Sequence, residues 1–111
     1  MAKLTSHTLN GFDGTHAASI AVHLFDLTSK KTLVRAIMDD GGRLEIDIPH
    51  QQINPETTYE LVFNTGPYWE KLGVTAKVCE IALRFSMPDP KAAYHMPVIL
   101  NPNSFSMWMS S

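Results

Sequence analysis

Apolar residues recur at every second position in short runs, and each run ends in a cluster of turn-forming residues. RLEIDI at 43–48 alternates Leu44, Ile46 and Ile48 against Glu45 and Asp47, and TYELVFN at 58–64 places Tyr59, Leu61 and Phe63 on one side. EIALRF at 80–85 does the same with Ile81, Leu83 and Phe85, and ASIAVHLFDL at 18–27 with Ile20, Val22 and Leu24. A period of two is strand geometry, because successive side chains of an extended chain point to opposite faces. Between the runs, NGFDG at 10–14, SKK at 29–31, DDGG at 39–42, NPET at 54–57, PDP at 88–90 and NPN at 101–103 supply turn chemistry. One piece departs from the pattern. In GPYWEKLG at 66–73, Pro67 suits a first helical turn and Gly73 can end it. The pattern predicts an all-β, two-sheet antiparallel sandwich with one short helix. About eight strands are expected, over 4–9, 17–27, 31–38, 43–48, 57–65, 75–86, 93–100 and 104–109.

With 111 residues and no repeat, linker or low-complexity tract, the chain is expected to form a single domain over 1–111. Hydrophobic content of 44% with 18% charged residues suits a globular fold, and no apolar run reaches the length of a membrane span. Lys and Arg are scattered and the net charge is -2, which argues against nucleic acid, since phosphate binding needs a concentrated basic face. The opening MAKLTSHTLNG lacks the apolar stretch and cleavage site of a secretory signal, and the closing MSS is not a peroxisomal address. The expected compartment is the cytosol. A single cysteine, Cys79, excludes an internal disulfide; set in AKVCEIALRF, it is expected to be a small buried packing residue of a strand.

Two stretches do not fit a strand with one wet face. AAYHMPVIL at 92–100 puts Tyr94, Met96, Val98 and Leu100 on one side and Ala93, His95, Pro97 and Ile99 on the other, both too apolar for open solvent. FSMWMSS at 105–111 crowds Phe105, Met107, Trp108 and Met109 into a terminus, where chains are usually polar and loose. Association of identical subunits is the commonest cover for such a surface.

No ready-made chemical motif is present. His7, His16, His23, His50 and His95 are never spaced for a shared metal on a helix or strand, and no glycine-rich phosphate loop or nucleophile elbow occurs. Any site must be gathered from residues distant in sequence. The candidates are His7 in LTSHTL, Arg43 after DDGG, and His95, each in or beside a predicted strand that would fix its direction. Read one by one, a strand histidine also fits a satisfied structural group, and an Arg after a turn a solvated one. Spacing alone leaves function open.

Taken in order, LTSHTLNG, DDGGRL, YELVFNTGPYW and DPKAAYHMPVILNP resemble the 5-hydroxyisourate hydrolases, the enzyme branch of the transthyretin-like family. That family shows a Ser/Thr-x-His-x-Leu segment, an Asp-Gly-Arg turn, a Phe-x-Thr-Gly-x-Tyr/Phe segment and a His-Tyr-His-x-Pro block closing with Tyr-Arg-Gly-Ser. The resemblance covers nearly the whole chain. It implies a two-sheet sandwich with a short helix, a homotetramer built as a dimer of dimers with sites in the channel between dimers, and catalysis without metal, redox step or cofactor. It matches His7, Arg43 and His95 to the family's catalytic residues. The implied reaction is hydrolytic opening of 5-hydroxyisourate at its N1–C6 amide.

The departures are informative. Ala93 stands where the block has its first His; Gly14, Thr15, His16 and Ala17 replace Gly-Arg/Lys-Pro-Ala; Val78, Cys79 and Glu80 replace Phe-Pro-Glu. These are expected to be peripheral. The tail matters more, because Tyr-Arg-Gly-Ser has become Trp108, Met109, Ser110 and Ser111, exchanging a guanidinium for a thioether. Trp108 and Ser111 are therefore expected at the substrate, Trp108 by broad apolar contact and Ser111 through its carboxylate. An apolar tail also motivates an alternative, the same hydrolysis of an N-methylated hydroxyisourate. A non-catalytic small-ligand carrier of the transthyretin type is the other alternative, but a carrier has no need of His7, Arg43 and His95 together.

Overall fold

The computed structural model describes residues 1–110, and its strands form two four-stranded sheets. In chain order the strands are β1 (Ala2–Asn10), β2 (Ala21–Asp26), β3 (Lys31–Ile37), β4 (Arg43–Ile48), β5 (Tyr59–Asn64), β6 (Ile81–Phe85), β7 (Ala93–Leu100) and β8 (Phe105–Met107). The helix α1 spans Gly66–Lys71, and one 3-10 turn lies at His50–Gln52. The first sheet has the order β4-β1-β7-β8 and the second β3-β2-β5-β6. Strand pairing is antiparallel except between β1 and β7, which run parallel. Between those two the chain builds β4 and the whole second sheet, and a parallel neighbour requires a long crossover of this kind.

The alternation predicts the buried faces. Leu4, Ile46, Ile48, Met96 and Val98 of the first sheet and Val22, Leu24, Leu61, Phe63 and Ile81 of the second are all buried in one core. Each such side chain contributes roughly 1.5–3 kcal/mol by leaving water. Trp69, also buried, anchors α1 to that core. Gly73 follows the helix at φ 71, and its N–H donates to the Glu70 carbonyl, so the helix ends where the sequence predicts. No helix is long and apolar enough to cross a membrane among the described residues.

Two expectations need correction. The strand expected over 75–86 is confined to Ile81–Phe85, because residues 74–80 pair with no strand. The amides of Lys77 and Val78 both donate to the Pro102 carbonyl, while the Cys79 carbonyl accepts from Gly66. Val74, Ala76 and Val78 are half-buried, so their alternation is real, but it reports burial and not a ladder partner. Cys79 is exposed and lies outside any strand, contrary to the buried packing role expected of it.

Candidate active site

The outer face of the first sheet carries the candidate residues. On β1, His7 pairs with Arg43 of β4 on one side and with Pro97 of β7 on the other; Thr5, one row along, pairs with Glu45 and His95. His7 therefore shares a row with Arg43 and stands diagonally across from His95, a relation that places Cα atoms about 7–8 Å apart. The three residues singled out in the sequence project from adjacent strands of one rigid sheet.

A buried knot beside His7 sets this geometry. The Thr8 amide donates to the Gly42 carbonyl at 2.7 Å, its hydroxyl donates to the Ala17 carbonyl at 2.7 Å, and its own carbonyl accepts from the Ala17 amide at 2.9 Å. Three segments are thereby tied one residue away from His7, His16 and Arg43. Gly42 has φ 69, and a Cβ there would lie 2.5 Å from the Thr8 carbonyl oxygen and 2.9 Å from that of Ala17, so only glycine fits. The Asp39 carboxylate closes the same turn by accepting from the amides of Gly41 at 2.9 Å and Arg43 at 2.8 Å.

Arg43 and His95 line one cavity of about 380 Å³, together with Thr5, Ser6, Asp39 and Glu45. Its two carboxylates are already engaged, Asp39 by backbone amides and Glu45 by Lys3 at 2.6 Å. Among the described residues Arg43 makes no ion pair, so its guanidinium is available to an anion. A larger cavity of about 690 Å³ lies between α1 and the segment that follows it. It holds Glu70, Cys79 and Glu80 but no histidine or arginine, so size is a poor guide here and the smaller cavity has the functional groups.

His95 is held by Thr5, whose Oγ1 is 2.7 Å from Nδ1 and 3.4 Å from the Tyr94 carbonyl oxygen. When the hydroxyl donates to that carbonyl, it accepts from Nδ1–H and leaves Nε2 with a free lone pair. His7 has a different partner, His16, whose Nδ1 lies 2.9 Å from His7 Nε2. Partial burial pushes the His7 pKa below the ordinary imidazole value, the Arg43 charge and then His16 add to this, and a hydrogen bond to the Gly41 backbone opposes it. His7 is thus kept neutral near pH 7.

The tail runs antiparallel to β7 in unbroken register. His95 and Ser110 exchange both backbone hydrogen bonds, at 2.8 and 2.9 Å. The ladder lapses between this bridge and β8 beside Pro97, which has no N–H to give. Met107 and Met109 pack against the core, turning Trp108 to the outer face, where it is 53% exposed. Trp108 shares a face with His95 but does not line the cavity. Ser111 lies outside the described residues.

Two residues of the site were not singled out in the sequence. Thr5 could have been, since alternation puts it on the same face as His7 two positions away. His16 was expected to be peripheral, yet it touches His7; nothing in its local sequence signals that contact, which depends on an isolated bridge between Leu9 and His16. Among the described residues no three His, Cys, Asp or Glu side chains are grouped to hold a metal ion.

Comparison with known proteins bears on the fold and the family. A family model described as HIUase/Transthyretin family matches residues 4–109. The 5-hydroxyisourate hydrolase of Ralstonia nicotianae is 29% identical over 117 residues, covering 100% of both chains. The 5-hydroxyisourate hydrolase 2 of Rhizobium meliloti is 30% identical over 115 residues, covering 98% of this chain and 96% of its own. In fold, a sea bream transthyretin solved in complex with thyroxine aligns with TM-score 0.84 at 24% identity, over 96% of this chain and 93% of its own. That likeness speaks for architecture alone, and the two-sheet sandwich with its single short helix is the one predicted from the sequence. With residues 4–109 matched, nearly the whole chain, this protein belongs to the HIUase/Transthyretin family.

Proposed function

We infer that this protein is a 5-hydroxyisourate hydrolase, opening the six-membered ring at its N1–C6 amide to give a ureido-imidazoline carboxylate. The observation that carries this reading is the shared cavity of Arg43 and His95, with His7 on the strand between them. A carrier requires only shape and apolar surface, whereas this cavity offers a base and a cation that makes no ion pair among the described residues. The relatives named as hydrolases, covering 98–100% of this chain, support the same activity.

Opening a cyclic amide needs a nucleophilic water, a donor for the oxyanion that forms at the carbonyl, and a proton for the departing nitrogen. In the proposed mechanism His95 Nε2 takes a proton from water as the oxygen attacks C6, with Nδ1–H held by Thr5. Arg43 binds the developing oxyanion and the anionic ring. The tetrahedral intermediate collapses with cleavage of C6–N1, the His95 proton passes to N1, and the new carboxylic acid gives its remaining proton to solvent to leave as a carboxylate. Neutral His7, diagonal to His95 and behind the cavity lining, has its nitrogens turned to His16 and the Gly41 backbone, so it serves as an uncharged polar support beside Arg43. Each proton-transfer role contributes roughly 10²- to 10⁴-fold. No cofactor enters this sequence of steps.

The tail bears on substrate range. Trp108, apolar and on the outer face of a tail that carries no guanidinium, favours a second reading, the same hydrolysis of an N-methylated ring. The assembly we propose is a homotetramer, a dimer of dimers, whose partner subunits cover the outer face around Leu9, Ile99 and Trp108 and bring the Ser111 carboxylate and Trp108 to the substrate. The proposed setting is the cytosol, whose reducing conditions suit the exposed free thiol of Cys79.

The test is loss of the ultraviolet band of enzymatically generated 5-hydroxyisourate against its spontaneous decay, for the wild type and His95→Ala. Acceleration by the wild type and its loss in a folded His95→Ala protein are expected. Decay at the spontaneous rate with pure wild type would overturn the reading, and a fully active His95→Ala would remove His95 from the mechanism. Turnover of plain and N-methylated rings side by side separates the two substrates.

A further inference from the structure

The contact between His7 and His16 is the feature that this reading leaves unused. His16 is exposed, and an exposed imidazole ordinarily gains nothing by holding one rotamer. Here its backbone is fixed from both sides: the Asn10 amide donates to the Thr15 carbonyl at 2.8 Å, Leu9 and His16 form a β-bridge, and Ala17 is locked into the Thr8 knot. The ring is delivered against His7 with centroids 5.0 Å apart, planes inclined at 30° and nitrogens at 2.9 Å.

We propose that His16 is a positioning residue for His7, the two rings holding one proton between them so that His7 works as half of a linked pair and not as a single base. The proposal rests on the reading that His7 serves the hydrolysis. Two imidazole nitrogens approach to 2.9 Å only when one carries a hydrogen and the other a lone pair. The resting pair thus fixes the proton on one side of the contact and, with it, the tautomer of each ring. A proton arriving at the pair is shared across the same contact, and a second is opposed by like charge, so the pair titrates in two separated steps.

The other titratable and charged groups that face His7 are Arg43 at the start of β4 and His95 of β7; both are cationic or become so, and both disfavour a second proton on the pair. The Gly41 backbone is the remaining polar neighbour. His16 is the open end of this arrangement. Being exposed, it exchanges protons with solvent, so the pair equilibrates with the bulk from this side. Where the related pattern has proline at this position, no such pair can form.

Histidine-labelled protein followed by ¹⁵N NMR across pH tests the pair without any substrate. In the wild type, both His7 and His16 should report two titration steps, each ring sensing the step centred on the other. In His16→Phe, which keeps a ring but no nitrogen, His7 should titrate in a single step, and its neutral form should hold one tautomer less completely than in the wild type. His16→Asn, whose side chain can accept or donate without titrating near neutrality, should restore one tautomer but not the second step. The acid limb of the kcat/KM profile for 5-hydroxyisourate should move by at least half a pH unit in His16→Phe, which a merely structural role would not produce. One independent titration step per ring in the wild type, or an unchanged His7 titration in His16→Phe, overturns the proposal. A protein that fails to hydrolyse 5-hydroxyisourate but shows the linked titration defeats the hydrolase reading alone.

Discussion

Thr5 Oγ1 lies 2.7 Å from His95 Nδ1, across the parallel pairing of β1 and β7 that sets the two residues side by side. This contact decides which nitrogen of His95 faces the cavity with a lone pair. In Thr5→Val the hydroxyl is lost while the β-branched shape stays, and His95 is free to change tautomer. The net worth of such a bond to folding is about 1 kcal/mol, so the unfolding free energy should drop by no more than that, while kcat falls roughly fivefold or more as His95 leaves its productive tautomer. Thr5→Ser should recover most of the loss. Steady-state kinetics beside a urea titration of each variant checks both statements.

Gly42 and Gly14 offer a matched pair for the turn that presents Arg43. Both have positive φ, 69 and 79, but a Cβ at Gly14 meets nothing within 4 Å, whereas at Gly42 it meets backbone oxygens of Thr8 and Ala17. Gly14→Ala should cost about 1–2 kcal/mol, the left-handed penalty alone. Gly42→Ala adds the displacement of Thr8 or Ala17, for a total of roughly 3 kcal/mol or more. Arg43 moves with that turn, so Gly42→Ala should also lose most of its turnover. Urea midpoints and activity at a permissive temperature distinguish the two.

The alternation of apolar residues made the strands readable, and β4 and β7 begin and end where the sequence places them. It also put His7 and His95 on the outward face of their strands, because their neighbours Leu4, Ser6, Met96 and Val98 are the inward ones. Pairing between strands is not written in a local pattern. That β1 lies between β4 and β7, making Thr5 the neighbour of His95, follows from the path of the whole chain. The same gap explains residues 74–80, where half-buried Val74, Ala76 and Val78 read as a strand although their amides have no ladder to join. His16 illustrates the limit most sharply: its exposure and its turn-like surroundings gave no reason to expect a ring of β1 against it.

Arg43 is the one guanidinium in the cavity, and its role depends on shape as well as charge. Lysine keeps the charge but loses the planar fork that holds two oxygens at once. Arg43→Lys should therefore lower kcat/KM by roughly 100-fold, the scale of losing one preorganised oxyanion donor. Its backbone amide still donates to Asp39, so the turn and the unfolding midpoint should stay as they are. Equal loss of stability and activity would instead mean that the side chain is structural.

The lowered pKa of His7 gives stability a definite slope with pH. Burial and the Arg43 charge disfavour protonated His7 in the folded state, while in the unfolded chain it titrates at its ordinary value of about 6.5. Between the two values the unfolded chain binds more protons at this residue than the folded one, so unfolding is favoured as pH falls. The contribution is fully present above the ordinary value and is lost as pH drops through the folded one. In His7→Gln this component disappears, because an amide does not titrate there. Urea midpoints should decline from about pH 7 to 5 more steeply for the wild type than for His7→Gln. Arg43→Gln should flatten part of the same slope, since removing the guanidinium lets folded His7 take its proton at a higher pH. Parallel slopes in all three proteins would mean that His7 titrates alike in the folded and unfolded states.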